Sequence, residues 1–431
     1  MKTRILIPVL LLACGCSELT TVDAPDLVER SDLLNPAGAI TFFNGAVSRF
    51  EFVFGTRASW SASGAFVNNS GLLSDELIAH STFWGLSNLD RHLLPEESGS
   101  QGTYFFLQVA RMNQLQALDL LREVLPSERW RIGLLYGYLG YTETLLAETM
   151  CSGVPLSTIS RDFKPEYGPP LTTTQLLERA LQDFDSAAVY AANDPQILNL
   201  ARVGRGRVLL NLDRPAEAAG AVGAVLTSFA FLTEHTQAVN YNGLFSNLAW
   251  GAFGIADKKG INGLDYLSAE DQRINAVIVG TGLDGVPVYG PARVDSYASP
   301  NILATGIEAR LIEAEAALRA DNVDAWLAHL NSLRATATSP SMAPLTDPGT
   351  PDGRVDLLFR ERAFWLFLTG SRFGDMRRLV RQYGRAVNTV FPIGPYKFGG
   401  EFGTDWVLPI DPTELARNPL MGDRACLDRN P

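Results

Sequence analysis

Helical periodicity over most of the chain is the feature that most limits its fold. Apolar residues recur at intervals of three and four in 37–56, 101–126, 128–150, 175–191, 196–212, 215–228, 305–319, 323–336 and 354–383, the last in two pieces around Gly370. The segments from 128 to 336 resemble the helical hairpins of tetratricopeptide arrays, although a strict repeat period is absent. We predict a mainly α fold, in which tetratricopeptide-like hairpins support long irregular loops and a few short strands.

Two stretches, 57–100 and 232–304, have no sustained helical period and are rich in Gly, Asn and aromatic residues. Irregular stretches of this length are often functional. Within the second, GTGLDG at 280–285 matches a dinucleotide-binding fingerprint in its letters, but the extended segment VPVYG follows where that site needs a helix. We therefore predict a turn between two short strands there, and 57–100 and 232–304 as the candidate ligand regions.

The N-terminus has the pattern of a lipoprotein signal peptide. Lys2 and Arg4 precede a short apolar run, which ends in Ala13-Cys14-Gly15-Cys16. Cleavage before a cysteine would expose that thiol for lipidation, so the protein would be anchored to a membrane rather than threaded through it. We predict a signal peptide over 1–16 with Cys16 as the lipidated residue (alternatively Cys14), a tether over 17–36 and a folded body over 37–431. An ordinary signal peptide with incidental cysteines is the alternative.

Charge and cysteine content restrict the function further. The 431-residue chain carries a formal net charge of −11, which argues against nucleic acid as a partner. The scattered histidines have no metal-ligand spacing, and no cofactor is expected. After the signal only Cys151 and Cys426 remain; in an exported protein they either pair or stay two unrelated thiols.

Charged motifs have simple structural interpretations. The adjacent acids Asp75 and Glu76 are expected to be solvated, because neighbouring residues usually point apart and do not form a catalytic carboxylate pair. Arg372 and Asp375 have the spacing of an ion pair within one helix. No hydrolase motif is present, so we do not expect an enzyme.

Several segments, taken in order, resemble the SusD/RagB family of nutrient-binding outer-membrane lipoproteins. RERAFWLFLTGSRFGDMRRL at 360–379 resembles the family's C-terminal helix motif through Glu361, Arg362, Gly370, Arg372, Asp375 and Arg378. Trp365 and Thr369 depart from it, standing where the family usually has acids. Weaker similarities lie in GLLSDE (71–76), LLYGYLGYTETLLAETMCSGVPLS (134–157), EARLIEAEAALR (308–319) and WVLPIDPTELARNP (406–419).

The resemblance implies a largely helical fold with tetratricopeptide-like pairs. It also implies a lipid-anchored location at the outer membrane with the body exposed at the surface, and a TonB-dependent, SusC-like transporter as partner. Many members bind glycans, so it implies nutrient binding and delivery rather than catalysis. A helical-repeat scaffold lipoprotein that only recruits partner proteins is the alternative.

Candidate ligand contacts follow from the chemistry of sugars, because a flat aromatic ring matches the apolar face of a sugar and amides can bond its hydroxyls. The candidates in the two irregular regions are Trp60, Trp84, Trp250, Tyr266, Asn68 and Asn242. Aromatic residues of the predicted helices are expected in the core instead: Phe105, Trp130, Trp326 and Trp365.

Overall fold

The computed structural model describes residues 33–56, 65–95, 102–160, 164–422 and 426–431. The helices are α1 Pro36–Gly55, α2 Phe66–Leu73, α3 Trp84–Arg91, α4 Thr103–Val124, α5 Arg129–Thr149, α6 Thr173–Tyr190, α7 Pro195–Asn211, α8 Pro215–Val222, α9 Gly243–Ala249, α10 Gly306–Arg319, α11 Val323–Thr336, α12 Pro351–Trp365, α13 Arg372–Arg381, α14 Val387–Val390 and α15 Pro412–Arg417. The strands are β1 Leu77–Ala79, β2 Val154–Pro155, β3 Thr158–Ile159, β4 Pro165–Glu166, β5 Pro170–Leu171, β6 Ala230–Thr233, β7 Phe253–Ile255, β8 Ala276–Thr281, β9 Pro287–Pro291 and β10 Asn301–Thr305. The prediction of a mainly α fold with short strands is confirmed.

Local signals place the helix ends close to their predicted positions. Thr172 and Gln175 form a reciprocal capping box at the start of α6, and Asp194 caps α7 through the backbone N–H groups of Gln196 and Ile197. The predicted break at Gly370 is confirmed, since its φ of 75° is the left-handed conformation that favours glycine. Helix α8 ends at Val222, before the predicted residue 228, because glycines at 220 and 223 weaken it.

Helix α5 is the centre of the helical body and packs against α1, α4, α6 and α7. Its threonines are buried, and their hydroxyls donate to the carbonyl one turn earlier, as Thr142 does to Tyr138 at 2.8 Å. Close approach of α6 and α7 depends on Gly204, where an added Cβ would lie 2.3 Å from the Phe184 ring. The polar and small residues of these helices therefore permit tight packing.

A carboxyl pair lies buried between α5 and α6. Glu143 binds Arg111 at 2.9 Å through one oxygen, and its second oxygen and Oδ2 of Asp183 have no other partner among the described residues. Burial and the neighbouring Glu143 charge raise the pKa of Asp183 to about 8, with a hydrogen bond between the two carboxyls adding to the effect. We infer that Asp183 holds its proton at neutral pH.

We expect Asp183→Asn to flatten the dependence of stability on pH. An unfolded Asp183 ionises near pH 4, so the folded chain holds a proton that the unfolded chain has released, and stability is lost as pH rises toward the folded pKa of about 8. The variant should remove a slope of up to about 1.4 kcal/mol per pH unit between pH 5 and 8. Urea unfolding at several pH values measures this, with Asp185→Asn on the exposed face of α6 as the control. Identical slopes for wild type and Asp183→Asn would contradict a protonated Asp183.

The two irregular regions meet in a small antiparallel sheet. Strand β1 pairs with β7, with Leu77 opposite Ile255 and Ala79 opposite Phe253. Strands β8 and β9 pair directly, so the prediction of a turn between two strands at 280–285 is confirmed. Regions far apart in the sequence therefore form one surface.

The C-terminal tail is tied to the end of α5. Cys151 and Cys426 form a disulfide, so the structure selects pairing over two separate thiols. Beside it, the Leu427 N–H donates to the Ser152 carbonyl at 2.7 Å, and the Cys151 N–H donates to the Leu408 carbonyl at 2.8 Å. The tail closes the fold by pairing with a segment far back in the chain.

The predicted lipidation sites, Cys14 and Cys16, lie outside the described residues, as does most of the predicted tether. Within the described part of the chain, no helix has both the length and the apolar character needed to cross a membrane. The predicted boundaries of signal, tether and body therefore stay predictions.

Two interpretations of charged residues were wrong. Asp75 and Glu76 are fully buried rather than solvated. Arg372 pairs with Asp75 through two bonds of 2.7 and 2.9 Å, whereas Asp375 binds Arg362 and Arg378. Asp375 does have an i,i+3 partner, but it is Arg378 rather than Arg372. A buried charge takes the best-oriented partner, whatever its separation in sequence.

Candidate functional site

The candidate site lies where the loop after β1 meets the short helix α9 and the β8–β9 turn. The β1–β7 pairing brings residues 80–83 beside residues 250–252, and the His80 N–H donates to the Ala252 carbonyl at 2.8 Å. The turn docks on the same point, because the Leu283 N–H donates to the Gly251 carbonyl at 3.0 Å. Three separate segments are thereby held together by backbone hydrogen bonds.

Two aromatic rings form the apolar part of this site. Phe83 and Trp250 lie with ring centroids 5.7 Å apart and planes tilted by 31°. Phe83 is 53% exposed, and Trp250 is half-buried at the end of α9. An exposed ring supported by a second ring offers a firm apolar surface to a ligand.

Three polar side chains are bonded together where the segments that carry these rings meet. Asp284 accepts from Nδ1 of His80 at 3.0 Å and from Nζ of Lys397 at 2.7 Å. Burial and the Lys397 charge lower the pKa of His80, so its ring is neutral at pH 7 and donates from Nδ1. We call the group of Phe83, Trp250, His80, Asp284 and Lys397 the Phe83–Trp250 surface.

Asp284 stays ionised in this arrangement. Burial favours the neutral acid, but bonds from Lys397, the Val286 N–H and His80 outweigh it and lower the pKa of Asp284. An ammonium, a carboxylate and an imidazole are thus bonded together next to the segments that carry the ring pair, and the Lys397 side chain is the most exposed of the three. Such a combination suits a ligand that has apolar faces and hydroxyl edges.

A second group of rings lies at the other end of α9. Tyr297 meets Phe245 and Tyr241 edge to face, with centroids 4.9 and 5.8 Å apart. The Tyr297 carbonyl accepts from the Asn242 N–H at 2.8 Å, which fixes its backbone. Phe245 lies five residues before Trp250, so the two aromatic groups are about 7.5 Å apart along α9.

The structure tests the accessibility of the predicted ligand residues. Of these, Trp250 lies in the site, while Tyr266 is buried against Phe364 and Phe367 and hydrogen-bonds Asp75. Asn242 is buried too, because it caps α9 through the Phe245 N–H at 2.9 Å. The expectation that Tyr266 and Asn242 face a ligand was wrong, since both have structural partners.

The remaining candidates have different outcomes. Asn68 is buried in α2, which removes it from the surface. Trp84 is the first residue of α3, directly after Phe83, and its side chain lies outside the description. Trp60 belongs to the segment 57–64, which lies outside the described residues.

Sequence reasoning missed Phe83, Asp284 and Lys397. Phe83 lies in the predicted ligand region 57–100, next to the predicted contact Trp84. The region was therefore predicted, but Phe83 itself was not. Lys397 lies in a C-terminal stretch where no sequence pattern indicates a binding residue. Only folding brings it to Asp284. Among the described residues no group of His, Cys, Asp and Glu could hold a metal ion.

Comparison with known proteins finds similarity in structure but no significant match in sequence. No family model matches the sequence, and no curated protein matches it significantly. Solved structures do match: a SusD-like carbohydrate binding protein from Bacteroides fragilis has a TM-score of 0.66 at 14% identity, covering 90% of this chain and 99% of its own. A SusD-like carbohydrate binding protein from Bacteroides vulgatus has a TM-score of 0.65 at 12% identity, covering 89% and 96%.

A SusD superfamily protein from Bacteroides fragilis has a TM-score of 0.65 at 16% identity, with 90% of this chain and 99% of its own covered. The structural similarity therefore runs over nearly the whole of each chain, while sequence identity is low. The resemblance found in the sequence is confirmed at the level of fold: this chain has the fold of the SusD-like proteins.

Proposed function

We propose that this protein is a lipid-anchored outer-membrane protein of the SusD/RagB type that binds a glycan on the Phe83–Trp250 surface. The observation that carries the proposal is the exposed Phe83 ring supported by the half-buried Trp250, with the bonded group of His80, Asp284 and Lys397 on the adjoining segments. The fold supports the same class of ligand, because structural neighbours are described as carbohydrate binding proteins. Binding requires no covalent step, because the rings contact the apolar face of the sugar and the polar side chains form hydrogen bonds with its hydroxyls.

Preorganisation supports binding at this surface. The rings and polar side chains are placed by backbone hydrogen bonds among three segments, and Gly282 lets the turn approach His80, since an added Cβ would lie 2.8 Å from that side chain. A surface already in its binding geometry loses less conformational entropy when a ligand docks. The second ring group around Tyr297 would extend contact along a longer glycan.

We expect Phe83→Ala combined with Trp250→Ala to weaken glycan binding at least about 10-fold, because truncating a central aromatic contact typically costs 2 kcal/mol or more. Affinity electrophoresis in gels containing soluble polysaccharides measures the effect on the lipid-free mature chain. The polysaccharide that most retards the wild type serves as the probe for the variants.

Phe105→Ala is the matched control, because Phe105 is equally exposed, at 55%, and lies on α4 outside both irregular regions. It should leave retardation unchanged. Equal retardation of wild type and double variant, or no retardation on any polysaccharide, contradicts the proposed site. Release of reducing sugar, lost on changing one carboxylate, would instead reveal an enzyme.

Anchoring and delivery form a separate part of the proposal. Lipid labelling in the native bacterium should be lost in Cys16→Ser and kept in Cys14→Ser, if Cys16 carries the anchor. We propose a TonB-dependent transporter as the receiving partner, and co-purification from solubilised outer membrane tests it. Partner recovery without any glycan retardation would favour the scaffold alternative.

A further inference from the structure

A cavity lies near the N-terminal half of α1, among the connections between helices. Its volume is about 520 Å³, and it opens between the α4–α5 connection and the α6–α7 connection. This size lies within the range of pockets that bind small ligands. Its lining includes Ser127, Arg129, Trp130, Tyr190, Asn193 and Asp194, and we call it the Trp130 cavity.

Trp130 and Tyr190 supply its aromatic walls. Trp130 is 41% exposed, so the prediction that it belongs to the core was wrong, as it was for Phe105. Arg131 lies over the Trp130 ring at 4.4 Å, and Arg129 lies over the Tyr190 ring at 5.0 Å. These contacts hold both rings in place before any ligand arrives, which lowers the entropic cost of binding.

Polar groups at the rim are free to bond a ligand. The side chains of Ser127 and Asn193 have no hydrogen-bond partner within the described ranges of the chain. Asp194 uses only Oδ1 to cap α7, accepting from Gln196 and Ile197 at 3.0 and 3.1 Å, so Oδ2 remains available. Hydroxyl, amide and carboxylate groups therefore surround the ring walls.

The charges favour an uncharged ligand. Arg131 is paired with Glu128 at 3.1 Å, and Arg129 donates to the Val189 carbonyl at 2.8 Å. Asp194 adds one negative charge at the opposite side, so the cavity is nearly balanced. An anion would find no unshared cluster of cations here, whereas a neutral polyol can use each group as donor or acceptor.

The cavity is separate from the Phe83–Trp250 surface. Trp130 packs edge to face on Phe43, with centroids 5.6 Å apart, while Thr56 at the end of α1 pairs with Asn242 beside α9. Thr56 follows Phe43 by thirteen positions along α1 and its C-cap, which places the two points about 20 Å apart along the helix. One monosaccharide cannot contact both places.

We propose that the Trp130 cavity is a second carbohydrate-binding site, which takes a neutral sugar unit against Trp130 and Tyr190. It accepts the same class of ligand as the proposed function but rests on different residues. Two sites on one chain would raise retention on a polysaccharide above that of either alone, provided that one polymer can engage both.

Fluorine NMR of the full mature chain labelled with 5-fluorotryptophan tests the site directly. The resonance absent from Trp130→Phe identifies Trp130, and we expect it to shift on addition of neutral mono- and disaccharides up to about 10 mM, within the weak-binding range. The shift should persist in the Phe83→Ala, Trp250→Ala double variant. It should weaken at least about 5-fold in apparent affinity in Asn193→Ala, and stay unchanged in Val189→Ala, an exposed neighbour outside the lining.

No shift of the Trp130 resonance with any sugar overturns the second site. The same holds for a shift that disappears in the Phe83→Ala, Trp250→Ala variant, because the signal would then report the first surface. Affinity electrophoresis separates the two proposals: retardation lost only in Phe83→Ala, Trp250→Ala supports the first site alone, and retardation reduced only in Trp130→Ala supports the second alone.

Discussion

Replacing Arg372 with methionine is expected to lower the free energy of unfolding by about 3–5 kcal/mol, because it leaves the buried Asp75 carboxylate without its cation. The pair is joined by two hydrogen bonds of 2.7 and 2.9 Å, and both side chains are buried. Burial favours the neutral acid, yet Arg372 holds the pKa of Asp75 below its ordinary value. Without Arg372 that pKa rises, so the stability lost should increase with pH.

Chemical denaturation at pH 5 and pH 8, followed by far-ultraviolet circular dichroism, measures the loss. The control is Arg205→Met, which removes the exposed pair with Asp185 and should cost far less. Combining Arg372→Met with Asp75→Asn should recover part of the loss, because no unpaired charge then remains buried. An equally small effect of Arg372→Met and Arg205→Met would show that Asp75 finds another partner.

Removing the disulfide is expected to lower the free energy of unfolding by about 2–5 kcal/mol, toward the upper end because the bond joins residues 275 apart. Cys151→Ala with Cys426→Ala deletes the cross-link without leaving a reactive thiol. The backbone bonds from Leu427 to Ser152 and from Cys151 to Leu408 should exchange their amide hydrogens faster, since the tail is no longer held covalently.

Thermal unfolding with and without dithiothreitol measures this change in wild type and variant. Reductant should lower the midpoint of the wild type and leave the double variant unaltered, which separates the disulfide from other effects of the reagent. An unchanged wild-type midpoint under full reduction would mean that the hydrogen-bonded tail alone holds this end of the fold.

Much of the fold could be predicted from local sequence. Helix α11 has the predicted range 323–336, and the α12–α13 break occurs at Gly370 as expected. Apolar periodicity, caps and a left-handed glycine act within a few residues, so neighbouring residues are sufficient to reveal them. The turn at 280–285 was predictable for the same reason.

The structural role of the segments that resemble the SusD/RagB family becomes clear only in the folded chain. Segments far apart in sequence converge on 368–378: Asp75 binds Arg372, Glu315 binds Arg378, and Arg207, held by Glu148, donates to the Gly370 carbonyl. The resemblance thus rests on a buried ionic core rather than on ligand contacts. These residues could be identified from the sequence, but their partners could not. Buried charges pair with whichever opposite charge the fold places next to them.

The proposed binding surfaces also divide into features that the sequence predicts and features that only the folded chain reveals. Sequence alone determined the helical class and the two irregular regions, because periodicity and its absence are properties of neighbouring residues. Tertiary structure decided that Phe83 rather than Tyr266 reaches the surface, that Lys397 joins Asp284, and that Trp130 lines a cavity. A side chain's exposure depends on every segment that packs around it, and those segments come together only when the chain folds.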